Sequence, residues 1–260
     1  MAITLRSRRE IELLSKAGAV VAEVLCELRE SARAGMTTAE LNRIAERSSA
    51  RAGVEALFKG VKNPTARKKF PGTICTSINE EVVHGIPSEK VVLKPGDVVS
   101  IDYGVRLNGY CGDSAITFGI GCLEDTKQRL IEATRRMLDI AIERIRPGLK
   151  WSRIAGEMQA FVESAGFSVV RDFVGHGIGT EMWEDPKIPN FVSAELLAND
   201  IVLQEGMILA IEPMVNIGVS DVRTLQDGWT VVTVDKKCSA HFEHTIAVVK
   251  DGCEVLTAQR

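Results

Sequence analysis

The groups best placed to do chemistry in this 260-residue chain are acidic residues set in apolar, strand-like sequence, with histidines beside them. Asp102 and Asp113 flank Leu107-Asn108-Gly109, and Asn-Gly is the strongest short hairpin signal. A two-residue turn at Asn108-Gly109 sets Asp113 opposite Gly104 and Asp102 opposite Ala115. The two carboxylates then share one face as diagonal neighbours, with Cβ atoms about 7 Å apart or less. Held that close they repel unless a cation lies between them. Two solvated aspartates beside a turn are the plainer alternative.

Three further segments carry polar groups in apolar surroundings. Phe173-Val-Gly-His-Gly-Ile-Gly179 follows a predicted strand and leaves the His176 ring little screened. Ala210-Ile-Glu-Pro-Met-Val215 sets Glu212 inside an apolar strand, where an unpaired carboxylate costs several kcal/mol. Ser239-Ala-His-Phe-Glu-His-Thr245 alternates, so His241, Glu243 and Thr245 share one face. Upstream, His84 closes a strand-like run before Gly-Ile-Pro87, facing either a cleft or solvent. The four histidines all fall in these segments. Four carboxylates and an imidazole suit divalent ions of hard or borderline character, whereas the six cysteines show no ligand spacing.

The elements that must position these groups are legible from periodicity. Apolar residues Ile11, Leu14, Gly18, Val21, Leu25 and Leu28 predict a helix from about Arg8 to Arg33. A second helix follows Gly35, with Thr37 and Glu40 at capping-box spacing. Segments Glu124–Ile145 and Trp151–Ser164 read as another helix pair. The pairs look like copies: at one offset Gly35 matches Gly148, Gly53 matches Gly166, Val24-Leu25 matches Met137-Leu138 and Leu41 matches Ile154. A duplication would give two halves with the site between them. Strands are expected within Asp97–Phe118 and at Phe167–Val174, Met207–Val215, Thr230–Val234 and Ala240–Val249. The expected class is α+β, with helices on one side of a largely antiparallel sheet.

Composition narrows the rest. Hydrophobic residues make up 45% and charged residues 26%, as in an ordinary globular chain. A net charge of −3 and 5% aromatics argue against a nucleic-acid or membrane-surface protein. No stretch approaches the ~18 apolar residues of a membrane span, and the start turns charged too early for a signal peptide. The expected compartment is the cytoplasm, with reduced and mostly buried thiols.

With five segments in order and register, Ser77-Ile-Asn-Glu-Glu-Val-Val-His-Gly-Ile-Pro87, Asp102 with Asp113, Gly175-His-Gly-Ile-Gly179, Ile211-Glu-Pro-Met214 and Phe242-Glu-His-Thr245, the chain resembles the type I methionine aminopeptidases. The resemblance runs over nearly the whole chain. It implies the pita-bread fold with two pseudo-symmetric halves, as a single catalytic domain over 1–260 without an appended N-terminal domain. It further implies removal of N-terminal methionine from nascent chains, with a small second residue preferred. Two divalent ions (Mn, Fe, Co or Zn) are implied on Asp102, Asp113, His176, Glu212 and Glu243. Glu212 is the implied proton acceptor and His84 a donor to the substrate amide. Phe70, Cys75 and Trp229 fall where the family lines its methionine pocket. Met1-Ala2 is itself the kind of start such enzymes accept.

One position departs from the family. A second histidine usually stands seven residues after the Gly-His-Gly-Ile-Gly histidine, and here that position is Trp183. Indole donates one hydrogen bond and cannot titrate or accept one. His241, two residues before Glu243 on the same predicted face, is the imidazole that could compensate. Two other readings follow: a proline-specific peptidase on the same fold, whose members usually carry a large extra N-terminal domain, or a catalytically weak binding protein. The basic run Ala66-Arg-Lys-Lys69 reads as a solvated loop, with transient ribosome contact as the alternative.

Overall fold

The computed structural model describes residues 3–64 and 66–258, so Met1-Ala2 lies outside the described residues. Four long helices form where the apolar stripes predict them: α1 (Arg8–Ser31), α2 (Thr38–Ala52), α3 (Asp125–Arg144) and α4 (Trp151–Ser164). The Thr37 hydroxyl accepts from the Glu40 amide, and Glu40 reaches back to the Thr37 amide at 2.7 Å, completing the expected capping box. A fifth, short helix, α5 (Ala194–Ala198), lies outside the predicted set; its five residues show no periodicity to read.

The helices cover a nine-stranded sheet whose pairings are all antiparallel. Its longest strands form the hairpin of Val98–Leu107 and Tyr110–Gly119, followed across the sheet by Glu243–Val249, Ile208–Ile211, Gly175–Gly177 and Glu184–Ile188. The hairpin register is the predicted one, Asp102 opposite Ala115 and Gly104 opposite Asp113. Asn108 and Gly109 take φ of 52° and 86°, the left-handed values a tight hairpin turn demands.

Three expected strands come out shorter or divided. Phe167–Val174 keeps only Ser168–Val169 as strand. Met207–Val215 splits into Ile208–Ile211 and Met214–Asn216, in different sheets, because Pro213 has no N–H to continue the ladder. Ala240–Val249 likewise splits into Ser239–His241 and Glu243–Val249 at Phe242. The freed pieces Ser168–Val169, Met214–Asn216 and Ser239–His241 build one three-stranded sheet beside the main one, and Glu81–Val83, Val222–Thr224 and Val231–Thr233 form another.

The suspected duplication is visible in the backbone. Gly35 N donates to Leu93 O at 2.9 Å and Leu93 N to Met36 O at 2.8 Å. In the second half Gly148 N donates to Leu203 O at 2.8 Å and Leu203 N to Leu149 O at 2.9 Å. The β-bridges Thr37–Val92 and Lys150–Val202 repeat in the same way. Each half has its own core. One gathers Leu25, Leu41, Ile101 and Tyr103 beneath α1 and α2, the other Met137, Ile154, Leu209 and Ile246 beneath α3 and α4. Among the described residues no disulfide forms; Cys75, Cys111 and Cys238 are buried, while Cys122 is exposed, contrary to a mostly buried set of six. Among the described residues no helix is long and apolar enough to cross a membrane.

Candidate metal centre

The repeat brings one carboxylate from each half to the seam. Asp102 stands nine residues after Leu93, and Glu212 nine after Leu203. Next to them, the direction of Asp113 is set by close packing. At Gly112 a Cβ would lie 2.8 Å from Gly18 N and 2.9 Å from Ala17 C, so this position presses on the α1 backbone. Its neighbour Asp113 therefore projects from the opposite face, where it is 3% exposed. Its register partner Gly104 leaves the room, since a Cβ there would meet Met182 Cε at 2.7 Å and Asp113 Oδ1 at 3.0 Å.

Two local expectations need correction. His176 does not follow a strand in a loose turn; it is the centre of a strand, Gly175–Gly177. The flanking glycines permit that, because Cβ atoms there would stand 2.3 Å from Ala210 O and 2.2 Å from Asp185 O. Glu212 lies in the break that Pro213 makes between two strands, not within one. The break frees it from sheet alternation and turns it toward His176.

These groups converge. Ligand atoms of Asp113, His176 and Glu243 all lie within 4.8 Å of one another. His176 Nε2 is 3.7 Å from Glu212 Oε1 and 4.0 Å from Asp113 Oδ2. Asp102 lines the same cavity. His241 Nε2 is buried without a hydrogen-bond partner among the described residues, 4.0 Å from Glu212 Oε2. His244, the fourth histidine, turns away, its Nδ1 2.8 Å from the Thr257 hydroxyl.

The electrostatics call for a cation. Asp102 Oδ1, Asp113 Oδ1 and Glu243 Oε1 are buried with no hydrogen-bond partner, and no lysine or arginine lines the cavity among the described residues. Burial pushes the Asp113 carboxyl up to about 7. Burial first, and then neighbouring carboxylates, pushes Asp102, Glu212 and Glu243 well above the usual carboxylate range. Burial also lowers His176. Its Nδ1 lies 2.9 Å from the Gly177 carbonyl, an acceptor only, so Nδ1 carries the hydrogen and Nε2 presents its lone pair to the carboxylates. A lone pair facing carboxylate oxygens is repulsive unless a cation intervenes. The donor set, carboxylate oxygens plus one neutral imidazole, fits a divalent metal.

Beside the carboxylates lies a cavity of ≈ 80 Å³. At ~10–15 Å³ per water position, that is room for several waters or one slim side chain. Phe70, Cys75, His84, Trp183 and Trp229, all expected at the site, line it. Phe70 and Trp229 meet edge to face at 5.2 Å, and Trp229 Nε1 donates to Lys68 O at 2.9 Å. His84, at a left-handed φ of 60°, packs edge to face on Phe173, and burial lowers its pKa to about 4. Phe58, Val61 and Met182 complete the wall and escaped the sequence reading. Met182 stands beside Trp183 in sequence, which is the one signal that pointed to it; Phe58 and Val61 sit in a loop without periodicity.

A curled antiparallel sheet with two helix pairs and a buried cluster of carboxylates and imidazole at its seam defines a pita-bread metallopeptidase. The chain matches metallopeptidase family M24 over residues 12–250 and belongs to that family. It is 46% identical over 255 residues to a methionine aminopeptidase of Clostridium perfringens, covering 98% of each chain. The crystal structure of a Thermotoga maritima methionine aminopeptidase superposes with a TM-score of 0.93 at 40% identity, over 99% of this chain and 100% of that one. A prolidase of Pyrococcus furiosus shares the fold, with a TM-score of 0.77 at 21% identity, but this chain covers only 66% of its length.

Proposed function

We propose that this protein is a metalloaminopeptidase that releases N-terminal methionine from nascent proteins and peptides, preferring a small second residue. The observation that carries the reading is the apolar cavity walled by Phe58, Phe70, Met182 and Trp229 directly beside the buried carboxylates. An unbranched, polarisable side chain suits such a wall, and the peptide bond that follows it then lies at the carboxylates. In this reading the two halves act as one catalytic domain.

Asp102, Asp113, His176, Glu212 and Glu243 would together hold two divalent ions. When bound, such ions polarise a carbonyl and make water acidic enough to attack near neutral pH. The protein's own groups do the rest. Glu212, whose Oε1 faces His176 and whose Oε2 faces His241, takes up and releases the proton that passes to the leaving amine. His84, kept neutral by burial, donates to the substrate amide. The apolar wall excludes water from the bond under attack.

Arg67, Lys68 and Lys69 are exposed. Any ribosome contact through them is transient, since three charges bind weakly at physiological salt. Peptide specificity tests the main reading: metal-loaded protein should release free methionine from Met-Ala-Ser and leave Met-Trp-Ser and Xaa-Pro dipeptides intact. Cleavage of Xaa-Pro substrates with Met-Ala-Ser spared would establish the prolidase alternative instead.

A further inference from the structure

Three consecutive side chains after the Gly-His-Gly strand point three ways. Met182, 5% exposed, packs with Phe58, Phe70, Cys75 and Trp229. Glu184 is clamped: Arg6 Nη2 donates to both its oxygens at 2.7 Å, and the Thr180 and Glu181 amides donate to Oε1 at 2.9 and 3.1 Å. Between these two anchors Trp183 is 58% exposed, the one exposed aromatic ring among the described residues. Its ring borders both the inner cavity and an outer cleft that continues past Thr4, Phe173, Val174 and Lys187. A large apolar ring exposed to water at the mouth of a site, on a backbone anchored at both neighbours, is arranged for contact with whatever enters.

We propose that Trp183 is a specificity-determining residue whose indole receives the third side chain of the substrate, favouring aromatic and aliphatic residues there over charged ones. The inference rests on the aminopeptidase reading above. In an extended peptide, side chains alternate, so the first and third emerge on the same side, about 6.8 Å apart. The first occupies the inner cavity. The third then reaches the outer cleft, along the wall that Trp183 shares between the two spaces. The second side chain faces the other way and does not meet the indole. An imidazole at this position would offer polar contact and little area, whereas indole offers a broad apolar face and one N–H donor.

The test compares Met-Ala-Phe, Met-Ala-Leu, Met-Ala-Ser and Met-Ala-Glu on the metal-loaded wild type, Trp183→Phe and Trp183→Ala. Wild type should show a KM about tenfold lower for Met-Ala-Phe than for Met-Ala-Glu, the size of one aromatic contact. The difference should persist in Trp183→Phe and collapse in Trp183→Ala, with the change falling in KM more than in kcat. A methionyl-Ala-Phe peptide with a reduced first bond should shift the wild-type tryptophan emission to the blue, since Trp151 and Trp229 are already buried. A third-residue preference undiminished in Trp183→Ala, or an unmoved emission spectrum, would overturn the role of Trp183 while leaving the reaction intact. Failure of every peptide to yield methionine would overturn the reaction itself, and this inference with it.

Discussion

At the residue scale, Asp113 is one of four carboxylates that crowd the site. It is buried among like charges, and one of its oxygens has no hydrogen-bond partner. Asp113→Asn should leave the chain folded and abolish both metal binding and methionine release, read by calorimetric titration and circular dichroism. The metal-free protein gives a sharper test. An acid whose folded pKa lies above its unfolded value binds more protons folded than unfolded, so its contribution to stability falls as pH rises. For Asp113 that loss runs from about pH 4, its unfolded value, to about 7. Without metal, Asp113→Asn should therefore melt above wild type at pH 8, with the difference shrinking toward pH 4.5; equal melting profiles would contradict the burial argument. Metal affinity should fall as pH drops through about 7, because protons compete for the same oxygens. Trp183→His should leave metal stoichiometry unchanged and alter turnover. The carboxylates and His176 were legible because acidic residues in apolar sequence need a reason. Phe58 and Val61 were not, because an apolar residue in a loop looks alike whether it walls a cavity or fills a core.

At the element scale, the hairpin around Asn108-Gly109 presents two glycines with opposite duties. Gly112 lets the strand touch the α1 backbone, and Gly104 leaves space beside Asp113. Gly112→Ala should cost about 1–3 kcal/mol of stability, the usual penalty of overpacking, because a helix backbone must move. Gly104→Ala should cost little stability but weaken metal binding about tenfold, since the Asp113 carboxylate must give way. Thermal melts and metal titrations of the two variants separate these outcomes, and a reversed pattern would mean that the faces are misassigned. The hairpin was the most legible element, because Asn108-Gly109 sets both turn and register. The divided strands were least legible. Pro213 announces a break, but apolar sequence on both sides of Glu212 reads as one run. Where the chain crosses from one sheet to another depends on contacts with distant strands, which local sequence does not carry.

For the whole molecule, two cores meet at a seam that holds unpaired negative groups, with Asp102 and Glu212 at matching positions of the two halves. The helix copies were readable through Gly35 and Gly148, whose turns make the same backbone bonds. The strand half of the repeat was not, because Asp102 and Glu212 differ in type and sit in dissimilar surroundings. A cation at this seam stabilises the folded state by mass action, about 2.7 kcal/mol at a hundredfold excess over Kd. Metal should thus raise the melting temperature of wild type in a single transition and leave Asp113→Asn unmoved. The central claim is that metal at this cluster enables release of N-terminal methionine. Its most direct test titrates metal-free protein with Mn²⁺, Fe²⁺, Co²⁺ or Zn²⁺ while following free methionine from Met-Ala-Ser and ions bound per chain. The account predicts no release without metal, and release that rises with occupancy toward two ions per chain. Methionine release by the metal-free protein, or silence with every metal despite two bound ions, would contradict it.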